Sequence, residues 1–192
     1  MCSIVELRQL FPRALRCDED GDVFSVEALP DTRIEVAVRA DWQRLIEADL
    51  PSAGRHPSES NRPHVTLVVR DDLSTDAGRE LARLGDALPV ECRLGGAAVF
   101  AAGERFVLAR PLVMTAALLR FHARIVDLIG PPPVRYTVTA ADRWTPHITL
   151  ARRMTAEQIG RALGIVGAPT LEGELTGLRL WDAEAKVVTP LR

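Results

Sequence analysis

RPHVTLVVR at residues 62–70 and TPHITLARR at residues 145–153 are two versions of one phrase, and their reading decides the fold. Each contains the order Pro-His-x-Thr-Leu, with polar and aliphatic side chains alternating. That alternation has the period of a β-strand, in which successive side chains point to opposite faces. His64 and Thr66 therefore share one face, and Val65 and Leu67 share the other. His147 and Thr149 stand in the same relation to Ile148 and Leu150. Each strand buries two aliphatic residues and presents an imidazole beside a hydroxyl. Pro63 and Pro146 have no N–H to give to a ladder, which suits the first position of a strand.

Working outward, the phrase recurs 83 positions later, from His64 to His147. A second pair of stretches repeats at nearly the same interval. LGGAAVFAAGERFV from Leu94 can be laid on LTGLRLWDAEAKVV from Leu175, so that Phe100 meets Trp181 and Arg105 meets Lys186. Two motifs with almost one period indicate a duplicated unit, and two copies imply paired lobes, since a solenoid needs three or more. The expected fold is α+β and bilobal with a pseudo-two-fold axis. Each lobe holds an antiparallel sheet with helices, and the two HxT strands face a central cleft.

Between the motifs, hydrophobic periodicity predicts a strand over 34–38, a short helix over 42–49, and a polar loop over 51–62. It also predicts a strand over 64–69, a helix over 76–88, and a hairpin over 90–109 that turns near Gly103. The clearest helix covers 115–129, stopped by Gly130 and three prolines. A strand from His147, a helix over 155–163 and a hairpin from Leu171 onward complete the chain. Residues 1–32 have no place in the repeat: 4–15 has some helical periodicity, and the acidic run at 18–22 lacks the ligand spacing of a calcium loop. They are set apart as an N-terminal extension, with residues 33–192 as the domain.

Bulk composition narrows the functional classes. The formal net charge is −2, without the basic surplus of a protein that grips long nucleic acid nonspecifically. Lys186 is the only lysine, so the cations are almost all planar arginine forks suited to bidentate phosphate contacts. Cys2, Cys17 and Cys92 form no CxxC pair, which argues against a disulfide framework or a zinc site. No apolar run is long enough for a signal peptide or a membrane span, so the cytoplasm is the expected compartment and a monomer the expected state.

Two histidines facing one cleft suit cleavage of a phosphodiester. A neutral imidazole takes a proton from the attacking oxygen while a protonated one gives a proton to the leaving oxygen. The threonine hydroxyls donate to the non-bridging oxygens, which gain charge in the transition state. Either His-x-Thr alone reads equally as a structural strand start; the pair reads as a site. A zinc site would need a third ligand at suitable spacing, and threonine is a poor one, so no metal and no other cofactor is expected.

On these residues the chain resembles the 2H phosphoesterase superfamily, and within it the bacterial 2'-5' RNA ligase and RNA 2',3'-cyclic phosphodiesterase group. The resemblance covers about 33–192. It implies metal-free hydrolysis of 2',3'-cyclic phosphates with reversible 2'-5' ligation, on an RNA end or a small nucleotide. It implies catalytic roles for His64, Thr66, His147 and Thr149, with His147 as base and His64 as acid. An arginine five places after the second histidine, here Arg152, would bind phosphate. Strict alternation puts Arg152 on the face opposite His147 and puts Arg153 on the same face, so Arg152 needs a sharp twist to reach the cleft.

Other residues have weaker claims. Trp144 either stacks on a base or caps the core. Arg62, Arg135 and Arg143 either line the cleft or are solvated charges. His56 lies in a polar loop and His122 in the long helix, where ordinary structural roles are expected. The reading competing with an enzyme is a module that captures RNA ends or nucleotides in the same cleft without turnover. A third is an interaction domain in which the motifs only pack, and which has no affinity for phosphate.

Overall fold

The structure is a computed structural model that describes residues 23–167 and 170–192. The periodic stretch at 4–15 and the acidic run at 18–22 lie outside the described residues. Eight strands and four α-helices follow in the order β1 (Phe24–Pro30), α1 (Thr32–Glu47), β2 (Val65–Arg70), α2 (Thr75–Leu84), β3 (Val90–Leu94), β4 (Ala98–Ala102), β5 (Arg105–Pro111), α3 (Ala116–Ile129), β6 (His147–Met154), α4 (Ala156–Val166), β7 (Leu171–Asp182) and β8 (Val187–Pro190). The strands form one antiparallel sheet in the order β3-β7-β1-β2-β6-β5-β4, with β8 also paired to β7. The sheet curls into a half-barrel, so the class is α+β as expected.

The two HxT strands lie side by side at its centre. β2 and β6 share a single partner pair, Val65 with Ile148, so the sheets of the two lobes meet at a narrow seam. Val65, Leu67, Ile148 and Leu150 are fully buried, and they join Ile34, Val38, Trp42 and Leu45 of α1 and Leu118, Phe121 and Ile125 of α3 in one core. α1 packs on α4, and α3 packs on α2. Local capping explains the helix starts. The side chains of Asp31, Thr115 and Thr155 each accept from a backbone N–H three residues on, and Gln158 reciprocates at Thr155.

Three expectations are corrected. Residues 34–38 open helix α1 instead of forming a strand. Ile34, Val38, Trp42 and Leu45 are buried at helical spacing, while Val36 is 61% exposed, so the short alternation was misleading. The hairpin expected over 90–109 is only β4 and β5. β3 pairs with β7 at the opposite edge of the sheet. Phe24–Pro30, set outside the domain, is strand β1 between β2 and β7, so the folded unit begins upstream of Arg33.

The duplication is real in register but incomplete in topology. Thr66 pairs with Glu27, and Glu27 with Arg179; in the other lobe Thr149 pairs with Ala109, and Ala109 with Ala98. Ala98 and Arg179 thus occupy equivalent places, at the offset of 81 that the repeat suggested. β8, however, lies outside β7, and the position equivalent to β5 is filled by β1.

Candidate active site

Both HxT strands carry a β-bulge at the same point of the motif. Val26 pairs with Val68 and Glu27 with Thr66, which leaves Leu67 as the extra residue. Leu108 pairs with Ala151 and Ala109 with Thr149, which leaves Leu150 extra. A bulge reverses the alternation beyond it. Ala151 therefore turns into the core, where it is fully buried, and Arg152 turns out on the face of His147 and Thr149. The conflict between strict alternation and a phosphate role for Arg152 is resolved by this extra residue. Arg153, beyond it, has a left-handed φ of 58° where the register shifts again.

Continuing the Val65–Ile148 register by one residue each way sets His64 across from Thr149 and Thr66 across from His147. The rings are oriented alike. His64 Nδ1 lies 2.7 Å from the carbonyl of Arg62, and His147 Nδ1 lies 2.8 Å from the carbonyl of Thr145. A carbonyl only accepts, so in both rings Nδ1 carries the hydrogen and Nε2 is the atom left to exchange a proton. Neither threonine hydroxyl is engaged among the described residues. His147 packs on the Phe100 ring at 4.8 Å between centroids. Burial pulls its pKa below the usual histidine value against the Thr145 hydrogen bond, and the charges of Arg152 and His64 pull the same way.

The remaining candidates separate clearly. Trp144 is buried at 6% exposure, donates from its indole to the Thr66 carbonyl at 2.9 Å, and stacks on His122 at 3.9 Å. It has no free face for a base, so the substrate-binding role expected for it gives way to the structural one. Arg62 is held by Glu35 at 2.6 Å, Arg135 by Asp71, and Arg143 lies 3.9 Å from Asp142. Arg152 has no ion pair among the described residues, which leaves its fork available. His56 is exposed in its loop, and His122 is buried with Nε2 on the carbonyls of Leu67 and Thr139. Cys92 is buried, and that burial, with Asp31 and Glu174 nearby, pushes its thiol up to about 12, so it offers no thiolate near neutrality.

The sequence pattern of the 2'-5' RNA ligase superfamily matches residues 33–186. The chain belongs to that superfamily. Membership supports a 2H phosphoesterase-type enzymatic activity. E. coli LigT complexed with 3'-AMP superposes with a TM-score of 0.51 at 15% identity, covering 91% of this chain and 96% of LigT. The apo form of E. coli LigT gives 0.52 at 14% identity, with the same coverage. Kluyveromyces marxianus Usb1 with uridine monophosphate gives 0.48 at 12% identity, covering 89% and 97%. No curated protein sequence matches the chain.

Two features of this 2'-5' RNA ligase superfamily member were not read from its sequence. Trp42 mirrors Trp144: its indole donates to the Thr149 carbonyl at 3.0 Å, so each HxT threonine is pinned from behind by a tryptophan. Glu27 and Arg179 form an ion pair of 2.7 Å next to His64, although 152 residues apart in sequence. Nothing in the sequence joins Arg179 to Glu27, since the pairing exists only through the β1–β7 register. Among the described residues no helix is long and apolar enough to cross a membrane.

Proposed function

We propose that the chain is a metal-independent phosphodiesterase that hydrolyses a 2',3'-cyclic phosphate at an RNA end or on a nucleotide. The observation that carries this reading is the shared ring orientation: both Nδ1 atoms are tied to backbone carbonyls two residues back, which frees both Nε2 atoms. His147 Nε2 takes a proton from water, and the water oxygen attacks phosphorus. The bond from phosphorus to the ribose 3' oxygen breaks, and that oxygen takes the proton from His64 Nε2, leaving a 2'-phosphate. Thr66 and Thr149 donate to the non-bridging oxygens, and Arg152 holds the phosphate as a cation. With a ribose 5' hydroxyl in place of water, the same forward steps join a 2'-5' linkage, and their reverse cleaves it back to the cyclic phosphate. The ligand of E. coli LigT, a nucleoside monophosphate, supports a nucleotide-sized substrate.

The test is a panel of cyclic nucleotides, cyclic-phosphate RNA ends and 2'-5' oligonucleotides, with the phosphate position of each product determined, in the presence of EDTA. Turnover should survive the chelator, and His64→Ala or His147→Ala should each lower it by roughly 10²–10⁴. Tight nucleotide binding without turnover of any member would replace the enzyme with a capture module. Loss on EDTA with rescue by one divalent ion would overturn the metal-free mechanism.

A further inference from the structure

The repeat makes the two halves of the site directly comparable, and they differ at two positions. Across β2, β1 and β7 the row beside His64 reads Thr66, Glu27, Arg179; across β6, β5 and β4 the equivalent row reads Thr149, Ala109, Ala98. Glu27 is 4% and Arg179 6% exposed. Glu27 Oε1 lies 3.5 Å from His64 Nε2 and also accepts from Ser25 Oγ at 2.9 Å. Arg179 donates from Nε to Glu27 Oε2 at 2.7 Å and from Nη1 to the Ser60 carbonyl at 2.8 Å, and its Nη2 lies 3.4 Å from His64 Nδ1. Because Nδ1–H is given to the Arg62 carbonyl, this last approach sets a cation beside the ring, with no bond accepted by Nδ1.

We propose that Glu27 and Arg179 are positioning residues that bracket the two nitrogens of His64 with opposite charges, so that His64 holds the proton to be donated and His147 does not. This rests on the acid–base reading of the site and deepens it. A neutral Nε2 would turn its lone pair toward the Glu27 carboxylate, whereas a protonated Nε2 is attracted to it. Glu27 also offsets the Arg179 guanidinium, which alone would expel charge from the ring. His147 has alanines in both places, with Arg152 as the nearest charge on its own strand, and burial disfavours its charged form. The charged groups around His64 are Glu27 on β1, Arg179 on β7, His147 on β6, and Arg62 on the loop before β2, whose guanidinium is turned to Glu35 on α1. The mixed state with one proton then has one favoured arrangement instead of two, and the polarity of cleavage is built into the fold before substrate arrives.

The test uses the whole chain without substrate and follows the ring nitrogens of both histidines by ¹⁵N NMR through a pH titration. In the wild type His147 should lose its proton first and His64 second. Glu27→Gln keeps the size of the side chain and one acceptor for Arg179 Nε but leaves the guanidinium uncompensated, so this order should be lost. Arg179→Gln leaves the Glu27 carboxylate unopposed beside Nε2 and should keep the order and widen it. In turnover, E27Q should lose on the order of tenfold in kcat/KM on the alkaline side of the optimum, whereas R179Q should extend the alkaline limb. A merely structural role for the pair predicts the same effect from both single variants, since each breaks the same ion pair. The proposal is overturned if E27Q keeps the wild-type order, if R179Q loses it, or if wild-type His64 deprotonates first. That last outcome needs no variant to fold. The NMR order stands or falls without any substrate, so a failure of the substrate panel is separable from a failure here.

Discussion

Replacing Trp144 with Phe separates a residue that holds the site from one that touches substrate. The indole N–H is the donor to the Thr66 carbonyl at 2.9 Å, and phenylalanine leaves that acceptor without it. An unsatisfied buried polar group costs about 1–3 kcal/mol. The smaller ring also leaves space at a site 6% exposed, which adds on the order of 1–2 kcal/mol, while stacking on His122 is partly kept. The expected loss is about 2–5 kcal/mol, or roughly 4–20 °C in Tm for a chain of this size. Because Thr66 is the residue displaced, kcat should fall while KM for a cyclic nucleotide changes little. Trp42→Phe should reproduce the pattern through Thr149, to which its indole donates at 3.0 Å. Urea and thermal unfolding read the first effect and steady-state kinetics the second. A Trp144→Phe protein with wild-type stability and a raised KM alone would refute the reasoning and return Trp144 to the substrate.

Thr66→Val and Thr149→Val remove hydroxyls that have no partner among the described residues. Each should weaken transition-state binding by about 1–3 kcal/mol in kcat/KM with little change in stability, and a trapped phosphothreonine would contradict this. Asp41 and Arg110 form a 2.6 Å ion pair with both side chains 1% exposed, and Asp41→Ala leaves the guanidinium uncompensated. It should lose about 3–5 kcal/mol in urea unfolding, a loss absent if water reaches the site. Burial holds the pKa of His122 below the ordinary value against its bonds to Leu67 and Thr139, so the native state binds fewer protons than the unfolded one. Its contribution is complete above about pH 6.5 and disappears as pH falls through the lowered value. The fall in urea midpoint between about pH 7 and pH 5 should therefore be smaller in His122→Gln than in the wild type, and an equal fall would clear His122 of the effect.

What the sequence determined by itself about this protein was what one strand or one helix can settle alone. The period-2 pattern around His64 and His147 assigned Val65 and Ile148 to the core face, because alternation is a property of the isolated strand. The start of α3 and the capping box at Thr155 and Gln158 were equally local, each complete within a few residues. Where a short alternation competed with a longer period, as in Ile34, Val38 and Trp42, the buried face of a helix won because packing rewards the longer pattern. Only the tertiary structure could decide the face of Arg152. It depends on Leu150 being the extra residue in the pairing of β6 with β5, and register is a relation between strands. The same holds for strand β1, for Trp42 behind Thr149, and for the Glu27–Arg179 pair beside His64. Each of these joins residues far apart in the chain. A charge or an indole on one segment carries no mark of the partner that only the folded sheet brings to it.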